Sequence, residues 1–288
     1  MRSDTLARGL HYENRGRIGS GAGAPWHARQ VMIRRGRLLV AAVVVLPLVF
    51  GGCGDSVAVL DYELRRTLPH DPSGYTQGLL IHDGVFFEST GQYGESDVRQ
   101  VDIATGEVLR SHALSDEHFG EGIAVVEDKL IQLTWKAGLA FVYDAATLVP
   151  EGTFAYEGEG WGLCYDGASL FMSDGSDTLQ RRDPATFELL DLIDVKRSGF
   201  SVRNLNELEC VGDDIYANIY MRDEIVRIDK ATGEVTGQLD AFGLSLLSGR
   251  STDAGAVFNG IAYHDATGTF YVTGKLWSSM FEIVITEE

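Results

Sequence analysis

The chain has 288 residues, 44% hydrophobic and 23% charged, a balance that suits a globular protein and excludes a disordered one. Its formal charge of −18 is unevenly spread: residues 1–53 hold eight arginines against Asp4 and Glu13, so of 24 basic and 42 acidic residues, 16 and 40 fall beyond residue 53. A body that acidic repels nucleic acid and anionic membrane and mildly attracts cationic ligands such as peptide amino termini, with simple solubility as the plainer account of the same charge.

From the amino terminus, residues 1–31 show no periodic pattern and read as an extension upstream of the true start, with Met32 as the initiator, or as a disordered segment. Residues 32–37 are a short basic segment, and LLVAAVVVLPLVF (38–50) is an apolar run of signal-peptide length, interrupted by Pro47 and too short to favour a spanning helix. Phe50-Gly51-Gly52-Cys53 then looks like a bacterial lipobox, in which the cysteine is acylated and becomes the new amino terminus; Phe50 stands where leucine is usual. The expectation is a signal peptide over 32–53 and an exported domain over 54–288. It would be held at the cell envelope by lipid on Cys53, its only membrane attachment, or else be periplasmic or secreted.

The remainder is predicted to be strands. VLDYELRRTLPHD (59–71) is followed by five copies of one phrase, in which a polar or aromatic residue and glycine or a close substitute precede an apolar strand, an acidic turn and a second apolar strand. The copies begin at Gln77-Gly78, Glu121-Gly122, Trp161-Gly162, Glu207-Leu208 and Asn259-Gly260. A second phrase, apolar-x-Asp-x-x-Thr, interleaves with the first in VDIATGEVL (101–109), VYDAATLVP (142–150), RRDPATFELL (181–190) and IDKATGEVT (228–236). Asp and Gly make its turn between β-branched flanks, the mark of an outer hairpin. A repeat of about 40 residues with four short strands predicts an all-β, five-bladed β-propeller of four-stranded antiparallel blades, beginning near 76, 120, 160, 206 and 258. The fifth outer hairpin is missing: MFEIVIT (280–286) supplies a third strand, so the strand at 59–71 is expected to close the last blade. A β-sandwich with coincidental turns is the competing fold. The Gly/Ser-rich stretch 240–258 departs most from the repeat and is expected as a surface loop over a site.

Cys164 and Cys210 occupy equivalent places in neighbouring blades, where buried free thiols are the plain expectation and a disulfide the alternative. The chain has no CxxC or HExxH and its seven histidines are scattered, so neither a metal nor a cofactor is expected.

In a propeller, the residues that begin each inner strand gather at one rim, here Gln77, Glu121, Trp161, Asn206 or Glu207, and Asn259. Glu121, between two glycines, is a candidate proton carrier if partly desolvated; a carboxylate bonded to backbone amides is the alternative. Trp135 and Trp161 offer aromatic walls for a small ligand or an amine, or plain packing. Asn206 and Glu207 offer an amide and a carboxylate at the same level. Lys275 reads either as a salt-bridge partner or as a cation that stabilises charge on a carbonyl oxygen.

Nine motifs in order resemble one family: Tyr75-Thr-Gln-Gly-Leu79, Glu88-Ser-Thr-Gly-Gln-Tyr-Gly-Glu-Ser96, Phe119-Gly-Glu-Gly122, Leu133-Thr-Trp-Lys136, Gly158-Glu-Gly-Trp-Gly-Leu163, Ser173-Asp-Gly-Ser176, Asn206-Glu-Leu-Glu209, Phe258-Asn-Gly-Ile-Ala262 and Thr273-Gly-Lys-Leu-Trp277. Together they resemble the plant and bacterial glutaminyl-peptide cyclotransferases, five-bladed propellers distinct from the zinc-dependent animal type. The resemblance runs from about 60 to 286. It implies metal-independent conversion of amino-terminal glutamine to pyroglutamate with release of ammonia, on peptide or protein substrates; a monomer is expected. It implies Glu121 as the proton-transfer residue and Asn206 and Lys275 as the groups that bind the amide and oxyanion. Tyr75, Gln77, Phe119, Trp135 and Trp161 then match substrate contacts, and Tyr220 stands where the family usually has another tryptophan, which puts substrate preference in question. Two further readings stand beside it. One is a non-catalytic peptide- or protein-binding propeller lipoprotein. The other is a metal-dependent lactonase drafting Glu121, Asn206 and Asn259 as ligands.

Overall fold

The computed structural model describes residues 57–287; the expected extension (1–31), signal peptide (32–53) and acylated Cys53 lie outside the described residues. Strand β1 (Ala58–Pro69) precedes a four-stranded antiparallel sheet of β2 (Thr76–His82), β3 (Val85–Thr90), β4 (Asp97–Val101) and β5 (Val108–Ala113). A second sheet has β6 (Gly120–Val126), β7 (Lys129–Thr134), β8 (Leu139–Asp144) and β9 (Pro150–Ala155), and a third β10 (Leu163–Tyr165), β11 (Leu170–Met172), β12 (Thr178–Arg182) and β13 (Leu189–Asp194). A small hairpin, β14 (Lys196–Arg197) and β15 (Phe200–Ser201), leads to β16 (Leu205–Val211), β17 (Asp214–Ile219), β18 (Glu224–Asp229) and β19 (Val235–Asp240). Helix α1 (Phe242–Leu247) then precedes β20 (Phe258–His264), β21 (Thr269–Gly274) and β22 (Ser279–Glu287).

The last two groups form one eight-stranded sheet in the order β16-β17-β18-β19-β1-β22-β21-β20. Strand β1 runs antiparallel to β22 from Leu60 opposite Glu287 to Pro69 opposite Ser279, so the two ends of the described chain share a sheet. Only its first three residues run parallel to β19, stitching two four-stranded halves together. The arrangement is all-β and propeller-like. The first strands touch in cyclic order: β2, β6, β10, β16, β20 and back to β2. Five apolar clusters lie between consecutive four-stranded groups, such as Leu80, Phe87 and Val98 against Ile123, Leu130 and Tyr143. Leu68, Leu79 and Phe86 likewise pack on Ala262, Tyr271 and Met280.

The interleaved Asp-x-x-Thr phrases are the turns between third and fourth strands. Asp102, Asp144, Asp183 and Asp229 each accept backbone hydrogen bonds from the residue three positions on. The residue four positions on returns its amide to the aspartate carbonyl at positive φ. That place is glycine in two turns (Gly106, Gly233); in the others it is Leu148 and Phe187, whose burial between sheets offsets the left-handed backbone.

The 240–258 stretch is not wholly loop. Its start forms α1, whose Leu244 is buried while Phe242, Leu246 and Leu247 are exposed. Cys164 and Cys210 form a disulfide between β10 and β16, with Cα atoms 5.5 Å apart, against the expectation of free thiols. The equivalence of their strand positions had already placed them side by side.

Candidate active site

Four of the five inner strands, β2, β6, β16 and β20, carry a register shift at their start: between Thr76 and Gly78, Gly120 and Ile123, Leu205 and Leu208, and Phe258 and Ile261. A bulge inserts an unpaired residue and re-aims its side chain. Gln77, Glu121 and Asn206 sit at three of these bulges. The residues just past the second strands, Trp135, Tyr220 and Lys275, close the same hairpin ends. Their amides bond the carbonyls of Phe119, Asn204 and Val257 at 3.0, 2.9 and 2.9 Å.

All of these converge on one cavity of about 270 Å³, lined by Tyr75, Gln77, Gln92, Phe119, Glu121, Trp135, Trp161, Asn206, Tyr220 and Lys275. Each residue expected to catalyse or to bind substrate (Tyr75, Gln77, Phe119, Glu121, Trp135, Trp161, Asn206, Tyr220 and Lys275) is in this wall. Gln92 was not expected. It follows Gly91, the first-sheet counterpart of Trp135 and Lys275, and the Gly-Gln-Tyr-Gly phrase at that hairpin end was the available signal. Its φ of 95° is a left-handed backbone that non-glycine residues seldom adopt.

The aromatic side chains form a chain of edge contacts around the mouth. Tyr75 meets Phe119 (centroids 6.1 Å), Phe119 meets Trp135 (5.5 Å), and Trp161 meets Tyr220 (5.5 Å). Lys275 closes the gap between Tyr220 and Tyr75, its Nζ 5.3 and 4.9 Å from their centroids. Glycine is required where the rings lean on backbone: a Cβ on Gly91 would lie 2.3 Å from Phe119, and one on Gly175 2.6 Å from Trp161. The turn after β21 is tied to the loop before β2, with Leu276 N donating to Gly74 O (2.7 Å) and His70 Nδ1 to Trp277 O (2.8 Å). This brings Lys275 beside Tyr75. The end of the 240–258 stretch packs here too, since Val257 holds the Lys275 amide and Gly255 abuts Tyr75.

Glu121 and Lys275 are 4% and 3% exposed, on different sheets, with the cavity between them. Among the described residues no backbone amide donates to Glu121; Gln77 Nε2 donates to its Oε1 at 3.1 Å. Burial holds the Glu121 carboxyl well above the ordinary carboxylate range; Lys275 pulls it back, and Glu159 adds to the rise. Burial likewise draws the Lys275 ammonium down to about 8, opposed by Glu121. Lys275 has no ion pair within 4.0 Å among the described residues, so its charge is free to serve a ligand. Gln77 Oε1 is buried without a hydrogen-bond partner among the described residues. Desolvation pushes the Tyr75 phenol up to about 12, which keeps it neutral.

Two residues expected at this level turn elsewhere. Glu207 accepts the amides of Leu79 (3.3 Å) and Ile261 (2.8 Å), capping the inner edges of β2 and β20. Asn259 Nδ2 donates to Thr76 O at 3.0 Å, and neither residue lines the cavity. The backbone-capping role weighed for Glu121 belongs to Glu207. Among the described residues no group of three or more His, Cys, Asp or Glu is arranged to hold a metal ion.

Residues 39–285 match the family model described as glutamine cyclotransferase. A curated glutaminyl-peptide cyclotransferase of Arabidopsis thaliana is 37% identical over 264 residues, spanning 87% of this chain and 82% of that protein. The crystal structure of Myxococcus xanthus glutaminyl cyclase superposes with a TM-score of 0.77 at 38% identity, covering 81% of this chain and all of that one. With so much of its length matched to the family, and its bulge residues and rim aromatics on one cavity, the chain belongs to the glutamine cyclotransferase family.

Proposed function

We propose that residues 54–288 form a five-bladed propeller that converts the amino-terminal glutamine of peptides and proteins to pyroglutamate, releasing ammonia without a metal. Glu121, Asn206 and Lys275 are its catalytic residues, and Tyr75, Gln77, Phe119, Trp135, Trp161 and Tyr220 bind the substrate. One observation carries the reading: a buried carboxyl and a buried lysine face one aromatic-walled cavity large enough for a single side chain and its amine. The cyclic contact of five first strands supports the blade count.

The chemistry needs few groups. The α-amine attacks the γ-carboxamide carbon of its own residue, forming the C–N bond of a five-membered lactam. Holding the productive conformer of such an intramolecular reaction recovers about 7–11 kcal/mol. Glu121 takes a proton from the attacking amine; its elevated proton affinity suits a group that accepts and then returns a proton near neutral pH. The carbonyl electron pair moves onto oxygen, where Lys275 and the Asn206 amide stabilise it. Glu121 then protonates the amide nitrogen, the old C–N bond breaks, ammonia leaves and the carbonyl re-forms.

The test is to incubate the purified protein and its Glu121→Gln variant with a Gln-initiated peptide and a chelator, and to follow loss of ammonia by mass. Wild type turns over; the variant stays folded with kcat down about 10²–10⁴-fold. Full activity in the variant refutes the assignment, and inhibition by the chelator refutes metal independence.

Export to the cell envelope, an acyl anchor on Cys53 and a monomeric state complete the reading. The Cys164–Cys210 disulfide supports an oxidising compartment. Cys53→Ala releases the protein from membranes, and a variant that stays membrane-bound refutes the anchor.

A further inference from the structure

We propose that Glu159, which does not line the cavity, is a positioning residue for the reaction, a clamp that sets the spacing and tilt of Trp135 and Trp161 around the substrate's amino-terminal residue; this rests on the cyclotransferase reading above. Trp135 follows β7 of the second sheet, and Trp161 opens the third. Both indole Nε1 groups donate to the same oxygen, Glu159 Oε2, at 2.7 and 3.1 Å. The other oxygen faces Lys136 Nζ at 3.6 Å, and that ammonium sits 3.7 Å from the Trp135 ring centroid. One carboxylate therefore ties together two walls that have no ring contact of their own among the described stacking pairs.

The backbone puts Glu159 in this place. Gly158 turns the chain at φ +87°, and Gly160 passes so close to Tyr156 that a Cβ would lie 2.4 Å from its hydroxyl. Gly160 N then donates to Trp135 O at 3.0 Å, Trp161 N to Ser173 O at 3.0 Å, and Trp161 O accepts the amide of Gly122. With both backbones pinned, the remaining freedom is in the indole torsions, and those end on Glu159. Hydrogen bonds to a charged acceptor are shorter and stronger than neutral ones.

The clamp has an electrostatic consequence. The groups that act on Glu121 are the hydrogen-bonded Gln77, the Lys275 ammonium, the Glu159 carboxylate, and the neutral phenols Tyr75 and Tyr156. Glu159 is the anion among them and raises the proton affinity of Glu121. Removing its charge therefore lowers the pH at which Glu121 ionises.

The experiment compares wild type with E159A, E159Q and E159D on a Gln-initiated peptide. It reads kcat and KM separately, the acid limb of the kcat profile, and tryptophan emission. E159A raises KM on the order of 10-fold with kcat within about threefold, because the walls no longer hold the ground-state conformer. Its tryptophan emission shifts as the two indoles lose their common acceptor. E159Q keeps an acceptor but no charge, so its KM rises less while its acid limb moves to lower pH. E159D keeps the charge on a shorter arm, so the limb returns and KM does not. The Glu159 side chain is 40% exposed, so the substitutions fall at a tolerant position; if E159A fails to fold, E159Q and E159D carry the same comparison. Unchanged KM, emission and acid limb across the variants overturn the clamp while leaving the cyclotransferase reading intact. A wild-type protein that cyclises no Gln-initiated peptide overturns that reading, and the proposal with it.

Discussion

Breaking the Cys164–Cys210 bond lowers the unfolding temperature by an amount set by the loop it closes. The two cysteines are 46 residues apart in sequence and join β10 to β16. In the chain-entropy account, a loop of that length confers about 4 kcal/mol by restricting the unfolded chain. For a domain of this size, that corresponds to about 8–16 °C in Tm. The third sheet should feel it most, since β10 and β11 are only three residues each. The assay is thermal unfolding of wild type with and without reductant, beside Cys164→Ala/Cys210→Ala, with thiol titration to establish that reduction occurred. The double variant unfolds near the reduced wild type and ignores reductant. Activity is lost at a correspondingly lower temperature, because the bridged strands follow Trp161 and carry Asn206. A reduced wild type, two more free thiols per chain, that unfolds at the oxidised temperature refutes the reasoning.

Three further outcomes are expected. The Lys275 ammonium, drawn down to about 8 by burial, is present below that pH and lost above it, so kcat falls as pH rises through about 8; Lys275→Arg removes that limb at a lower plateau, read from a kcat–pH profile. Burial raises the Glu209 carboxyl to about 8 from an ordinary 4.5, so the folded protein binds a proton that the unfolded chain has released, and stability falls as pH rises from about 4.5 to about 8. Because Glu209 is only partly buried, Glu209→Gln recovers about 1–2 kcal/mol at pH 8 and little at pH 4, measured as Tm against pH. Gly175→Ala places a Cβ against the Trp161 ring at a backbone of φ +78°, so KM rises and Tm falls by a few degrees, equivalent to about 1 kcal/mol; kinetics and melting that match wild type refute the contact.

Much of the site was legible because the repeat is itself a ruler. Once five copies of one phrase are aligned, Gln77 and Glu121 share a place with Asn206 or Glu207, Trp135 and Lys275 each end an inner hairpin, and a cyclic fold must bring each set to one end. The strand at 59–71 was legible as a missing partner for the chain's last strand. What escaped were relations between copies. Glu159 reads as a charged residue between glycines, and only the packing of the third sheet on the second reveals that it receives two indoles. Glu207 stands beside Asn206 in its bulge and turns to the backbone amides of Leu79 and Ile261, while Asn259, at the place of Glu121 and Asn206, donates to the carbonyl of Thr76 instead of facing the cavity. Gln92 stands one residue past its counterparts, on a strained backbone that no periodicity announces.

Periodicity and turn chemistry, which are local, were thus enough to determine the strands and their hairpins, and the resemblance of nine motifs was enough to point to the family of the chain. The protonation of Glu121 and Lys275, the joining of Cys164 to Cys210 and the closure of the aromatic ring by Lys275 were decided only in three dimensions. Desolvation and distance between residues far apart in the chain set those properties, and neither quantity exists until the sheets close on one another.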